Sequence, residues 1–206
     1  MGMTTAASET AGRERALRRL QARIRRCEQC VLAAGRTQAV PGVGPALARV
    51  MFVGEAPGRW EDERGEPFVG TAGRFFDTLL ASIGLGRGEV YITNAVKCRP
   101  FVGPPPGRNR APRPAEIAAC RGWLEEELAV VAPEIVVPMG RVAVECFLPG
   151  RKISKVHGAP HRQDGRVILP LYHPALGRYG PAARETLLRD FQVLGSMLRT
   201  KRPAPR

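Results

Sequence analysis

Apolar residues along this chain follow two alternating patterns. Short apolar runs at 50–53, 89–96, 134–138 and 167–172 are rich in Val, Ile and Tyr and read as buried strands. Between them, apolar side chains recur every three or four positions, the spacing of one helix face. This predicts a helix at 12–26 striped by Ala16, Leu20 and Ile24, and another at 71–83 with Thr71 as its cap. A third opens at Pro114 and is striped by Ile117, Cys120, Leu124 and Leu128; a short one covers 142–147. The last opens at Pro181 and turns Leu187, Leu188, Phe191, Leu194 and Leu198 to the core.

The remaining stretches lack either pattern. Residues 1–11 are small and polar and predict a disordered N-terminus, and 200–206 read as a polar tail. Residues 99–114, dense in proline and arginine, and 149–166 read as two irregular basic loops. Strands alternating with helices predict one α/β domain over 12–199: a three-layer α/β/α sandwich with a central, mostly parallel four-stranded sheet.

Charge narrows the function. The 206 residues carry a formal net charge of +13, which points to a polyanionic partner. Yet the glycine-rich loop between the first strand and its helix, 54–73, holds five carboxylates: Glu55, Glu61, Asp62, Glu63 and Glu66. So acidic a loop does not suit phosphate. An acidic pocket in a basic shell suits an enzyme that grips phosphates and handles a positive centre within. Glu55, Asn94 and His173 each stand just past the carboxyl end of a predicted strand, and in a parallel sheet such ends converge on one crevice. No apolar run approaches 18 residues and no signal-peptide core is present, so the expectation is a cytoplasmic monomer with no membrane contact.

Five cysteines in such a setting favour a metal over disulfides. Cys27 and Cys30 form one C-x2-C, while Cys98 and Cys120 stand apart. A single pair is weak evidence for zinc; one pair and two singles suffice for a [4Fe–4S] cluster, although Cys120 reads equally as a small core residue. Cys146 lies in an apolar stretch and reads as core.

Taken together, Gly54-Glu-Ala-Pro-Gly58, Pro67-Phe-Val-Gly70, Thr93-Asn-Ala-Val-Lys-Cys98 and His173-Pro-Ala175, with the cysteines interleaved, resemble the family 4, iron–sulfur type uracil-DNA glycosylases. The match runs in order from Cys27 to the last helix. It implies that deoxyuridine is flipped from DNA and its N-glycosidic bond hydrolysed, leaving an abasic site for base excision repair. By the same resemblance Phe68 stacks on uracil and the Asn94 amide reads its O4 and N3–H edge. His173 donates to O2 of the departing base, and Glu55 stands by the anomeric carbon. The backbone of Ala56 lines the pocket, Glu61 crowds uracil C5, and Asp62 matches a motif position to which the resemblance assigns no role. Cys27, Cys30, Cys98 and Cys120 become ligands of a structural [4Fe–4S] cluster. The loop at 99–114, longer than is usual in the family, turns Arg108, Arg110 and Arg113 towards DNA, and His157 approaches a phosphate.

Two rivals differ in class. A relative that traps uracil covalently has Gln after the motif glutamate and a histidine in the basic loop; here Ala56 and a histidine-free 99–114 favour turnover. A non-catalytic iron–sulfur nucleic-acid-binding domain would explain the charge and the cysteines, and would leave Phe68, Asn94 and His173 without a purpose.

Overall fold

The computed structural model describes residues 2–200. Its centre is a five-stranded sheet formed by β1 (Val50–Gly54), β2 (Tyr91–Asn94), β5 (Ile135–Pro138), β6 (His161–Gln163) and β7 (Arg166–Ile168), in the order β2-β1-β5-β7-β6. The first four in that order are parallel, and β6 is antiparallel to β7. Four of these strands are legible as apolar runs in the sequence. The fifth was hidden in the second basic loop, where Asp164 and Gly165 take φ of 50° and 75° and turn a tight hairpin. An Asp-Gly pair accepts such a turn at low cost, and the strands beside it are too short and too polar to register as apolar runs. The fourth predicted strand is broken by Pro170, which has no N–H. Pairing resumes beyond it, where the Leu171 N–H reaches Pro138 O at 3.0 Å.

Seven helices flank the sheet among the described residues: α1 (Gly2–Arg25), α2 (Arg59–Arg64), α3 (Thr71–Ala81), α4 (Pro114–Val131), α5 (Arg141–Phe147), α6 (Ile153–Val156) and α7 (Pro181–Thr200). Strand alternation assigns the faces. Val50 and Phe52 of β1 join Phe76, Leu79, Leu187 and Phe191 of α3 and α7 in one core. Met51 and Val53 join Leu17, Leu124 and Leu128 of α1 and α4 in a second, giving three layers. A third cluster at one edge holds Leu20, Ile24, Trp123, Cys98 and Cys120, with Cys27, Cys30 and Ala56 against it.

Several local expectations are corrected. Of the stretch expected to be disordered, residues 2–11 are helical: α1 begins at Gly2, and Glu9 pairs with Arg13 at 3.0 Å one turn apart. Its buried stripe is Leu17, Leu20 and Ile24, and Ala16 faces solvent. Gly70, not Thr71, precedes the first turn of α3. The loop at 99–114 contains a short antiparallel hairpin of β3 (Phe101–Val102) and β4 (Arg108–Asn109). Leu188 lies exposed on α7, which takes in Thr200; residues 201–206 of the polar tail lie outside the described residues. No described helix is long and apolar enough to cross a membrane.

Candidate active site at the carboxyl ends of the strands

A cleft of about 640 Å³ opens where β1 and β2 end, lined by Glu55, Ala56, Glu61, Phe68, Asn94 and His173 among others. The crevice foreseen from strand ends is there. Gly54, the last residue of β1, is paired with Asn94 across the two strands. A Cβ on Gly54 would stand 2.3 Å from Asn94 Oδ1 and 2.7 Å from Phe68 Cζ, so only glycine lets the amide and the ring approach this closely.

Phe68 stands on the loop between β1 and α3, yet it is buried, and its backbone adopts φ of 57°. A bulky residue in the left-handed region needs support, and three contacts provide it. Arg87 donates to the carbonyls of Pro67 and Phe68 while pairing with Asp77 at 2.6 Å. Gly73 leaves room for the Phe68 carbonyl, which a Cβ there would meet at 1.7 Å. The ring itself lies 5.4 Å from the His173 imidazole at an interplanar angle of 26°, and 5.2 Å from Phe76.

His173 follows the last parallel pairing and leads into a 3-10 turn at Pro174–Tyr179. Its Nδ1 accepts from the Ala175 N–H at 3.1 Å, so that nitrogen carries a lone pair and Nε2 carries the proton. Burial pushes its pKa down to about 4, which keeps the ring neutral across the physiological range. Glu55 is half-buried, and burial raises its pKa against the opposing pull of the Arg141 guanidinium. Asn94 is buried, and its backbone carbonyl is gripped by Lys97 Nζ at 2.7 Å. Lys97 also donates to Thr93 Oγ1 and to Glu127 Oε2 at 2.6 Å, and Glu127 further accepts from Gly42 N, Tyr91 Oη and Thr93 Oγ1. This buried pair fixes β2 to α4 directly beneath the cleft.

The acidic loop is stapled from both sides. Glu61 lines the cleft, but its oxygens are engaged by the N–H groups of Gly58, Val69 and Gly70 at 2.9–3.1 Å, which folds the loop back on itself. Asp62, buried, accepts from Thr37 N at 3.0 Å and from Gln38 N. Glu63 and Glu66 are exposed.

Cys27, Cys30, Cys98 and Cys120 meet in the third apolar cluster, none in a disulfide. Three of the sulfurs accept N–H donors: Cys27 from Trp123 Nε1 at 3.1 Å, Cys98 from Arg36 Nη1 at 3.2 Å and Cys120 from Lys97 N at 3.2 Å. Among the described residues, no three His, Cys, Asp or Glu side chains converge closely enough to hold a single metal ion. Cys146 sits apart, against the second core.

The basic residues divide. Arg108 and Arg113 are exposed, but Arg110 is engaged with Glu116 through two hydrogen bonds of 2.6 and 2.7 Å. His157 contacts the Asp190 carboxylate at 2.9 Å and Tyr172 at 4.4 Å between ring centres, and it does not line the cleft. Arg59, Trp60, Asn109, Arg141 and the Lys97–Glu127 pair were not singled out from sequence. A tryptophan inside a loop of carboxylates was the one available signal.

Sequence comparison accords with this geometry. The family description "Uracil DNA glycosylase superfamily" matches residues 41–192. A type-4 uracil-DNA glycosylase of Archaeoglobus fulgidus is 41% identical over 87% of this chain and 92% of its own length. The chain belongs to this superfamily, in its type-4 group. Type-4 uracil-DNA glycosylases of Sulfurisphaera tokodaii (37% identical, 86% of this chain, 83% of theirs) and Thermotoga maritima (36%, 91% and 97%) are similarly close. The superfamily match covers the cleft residues, the loop at 54–73 and Cys98 and Cys120.

Proposed function

We propose that this chain removes uracil from DNA by hydrolysing the bond between uracil N1 and the sugar C1′, as its type-4 relatives are named for. The observation that carries this reading is the meeting of a fixed amide, a neutral imidazole, a buried aromatic ring and a carboxylate in one cleft of an otherwise basic protein. A nucleotide flipped into the cleft would place its base against Phe68 and its edge on Asn94. The amide offers one donor and one acceptor, which match O4 and N3–H; cytosine presents the reverse order. The Nε2 proton of His173 is free for uracil O2, where charge accumulates as the bond breaks. Glu55 faces the sugar. Its carboxylate stabilises the oxocarbenium-like centre and accepts the proton of the water that adds to C1′, while the electron pair of the broken bond leaves with uracil. Ala56 contributes its backbone to the pocket, and Glu61 holds the wall by uracil C5. Arg108, Arg113, Arg110 and His157 serve DNA phosphates outside.

Cys27, Cys30, Cys98 and Cys120 are proposed to hold a [4Fe–4S] cluster. The donor chemistry fits: four thiols without disulfides in an apolar pocket, three of them receiving N–H hydrogen bonds of the kind that stabilise thiolates. A cubane spreads its ligands over four irons, so they stand farther apart than around one ion. The cluster's contribution would be structural, tying α1 to the 99–119 segment, and a cytoplasmic setting would keep the thiols available to it.

The test is incubation with a uracil-containing oligonucleotide followed by hot alkali. Strand scission at uracil is expected. An intact strand would refute the reading, and a stable protein–DNA adduct would support the trapping alternative instead.

A further inference from the structure

Six large apolar side chains are exposed among the described residues, and of these Trp60 alone lines the cleft. We propose that Trp60 is a stacking platform for the nucleobase next to the flipped uridine, in single-stranded or locally opened DNA. This rests on the glycosylase reading for its location and goes beyond it in naming how the flanking strand is held.

Trp60 stands on α2, beside the pocket mouth, with half of its surface exposed (50%). The Arg59 guanidinium lies over the indole at 5.6 Å and is itself fixed to Glu63 Oε1 at 2.7 Å. The indole edge runs along Gly70: a Cβ there would come 3.4 Å from Cδ1. The helix beneath is anchored by Glu61 and Asp62, so the ring is presented on a braced element rather than a free loop. A water-facing indole at a site mouth, with one cation stacked on it and Arg178 also lining the cleft, has the composition of a single-strand binding surface: a π face for any base and positive charge for its phosphates. No catalytic step needs it. Flipping a nucleotide leaves its neighbour unstacked on one side, and an indole replaces that lost stacking.

The experiment titrates the full-length protein with a 15-mer single strand carrying one central uracil, read by anisotropy. A second pair of oligonucleotides lacks the base immediately 5′ or 3′ to it. Trp60→Ala is expected to raise Kd roughly 5- to 100-fold, and Trp60→Phe to stay within a few-fold of wild type. The loss should fall on Kd more than on the single-turnover maximum. Removing one of the two neighbouring bases should weaken wild type and leave Trp60→Ala unaffected. Because Trp60 is exposed, Tm should be retained. Binding by Trp60→Ala within twofold of wild type, or a loss independent of both neighbouring bases, would overturn the proposal. Uracil release by wild type is scored separately, so a failed glycosylase reading shows itself there and the titration decides stacking alone.

Discussion

Residue by residue, the cleft depends on groups held in one chemical state. His173 is neutral because burial disfavours its charged form, and the Ala175 N–H selects the tautomer with the proton on Nε2. The folded-state pKa lies below the unfolded one, so the unfolded chain binds more protons between them and stability falls as pH drops from about 6.5 towards 4. Between pH 7 and 4.5, denaturant unfolding should show wild type losing on the order of 2 kcal/mol more than His173→Gln, after allowing for partial solvent access. Equal losses would mean that the ring is not buried neutral. Asn94→Ala and His173→Ala should each lower the single-turnover excision rate at least about 100-fold, with DNA affinity nearly retained. Gly54→Ala should be as damaging, since the added methyl occupies the space where Asn94 and Phe68 meet.

At the scale of elements, the Lys97–Glu127 pair joins β2 to α4 and sets the carbonyl of Asn94. Glu127→Leu or Lys97→Met leaves one buried charge without its partner and should cost about 3–5 kcal/mol in urea unfolding. The joint replacement Lys97→Met with Glu127→Leu should recover part of that; a double variant as unstable as the sum of the singles would show that the pair is not coupled. Much of this scale was legible beforehand. The four parallel strands, the helix at α3, the α4 stripe and the strand-end placement of Glu55, Asn94 and His173 follow from periodicity and glycine–proline punctuation. The fifth strand was not, because His161–Gln163 is polar and three residues long. The burial of Phe68 escaped as well: the loop around it is mostly polar, and the packing against Phe76 and His173 is made across the fold. Glu61 and Asp62 carry no sequence mark that they brace backbone rather than face solvent. The cleft's residue types were readable; its supports were long-range and were not.

For the whole molecule, the acidic loop and the +13 charge divide the work between a cation-tolerant pocket and a phosphate-gripping exterior. Binding should weaken with salt along a log–log slope of roughly −3 to −6, the value for about four to six neutralised phosphates on single strands or duplex. Replacing Cys98 or Cys120 by Ser should remove bound iron and absorbance near the visible edge; one equivalent of zinc without iron in wild type would refute the cluster. The most direct test is mass-spectrometric detection of the free base released from matched oligonucleotides carrying uracil, cytosine or thymine at one position. The account predicts one equivalent of uracil per strand over repeated turnovers, with no cytosine or thymine. Release of cytosine, or no free base at all, would contradict it.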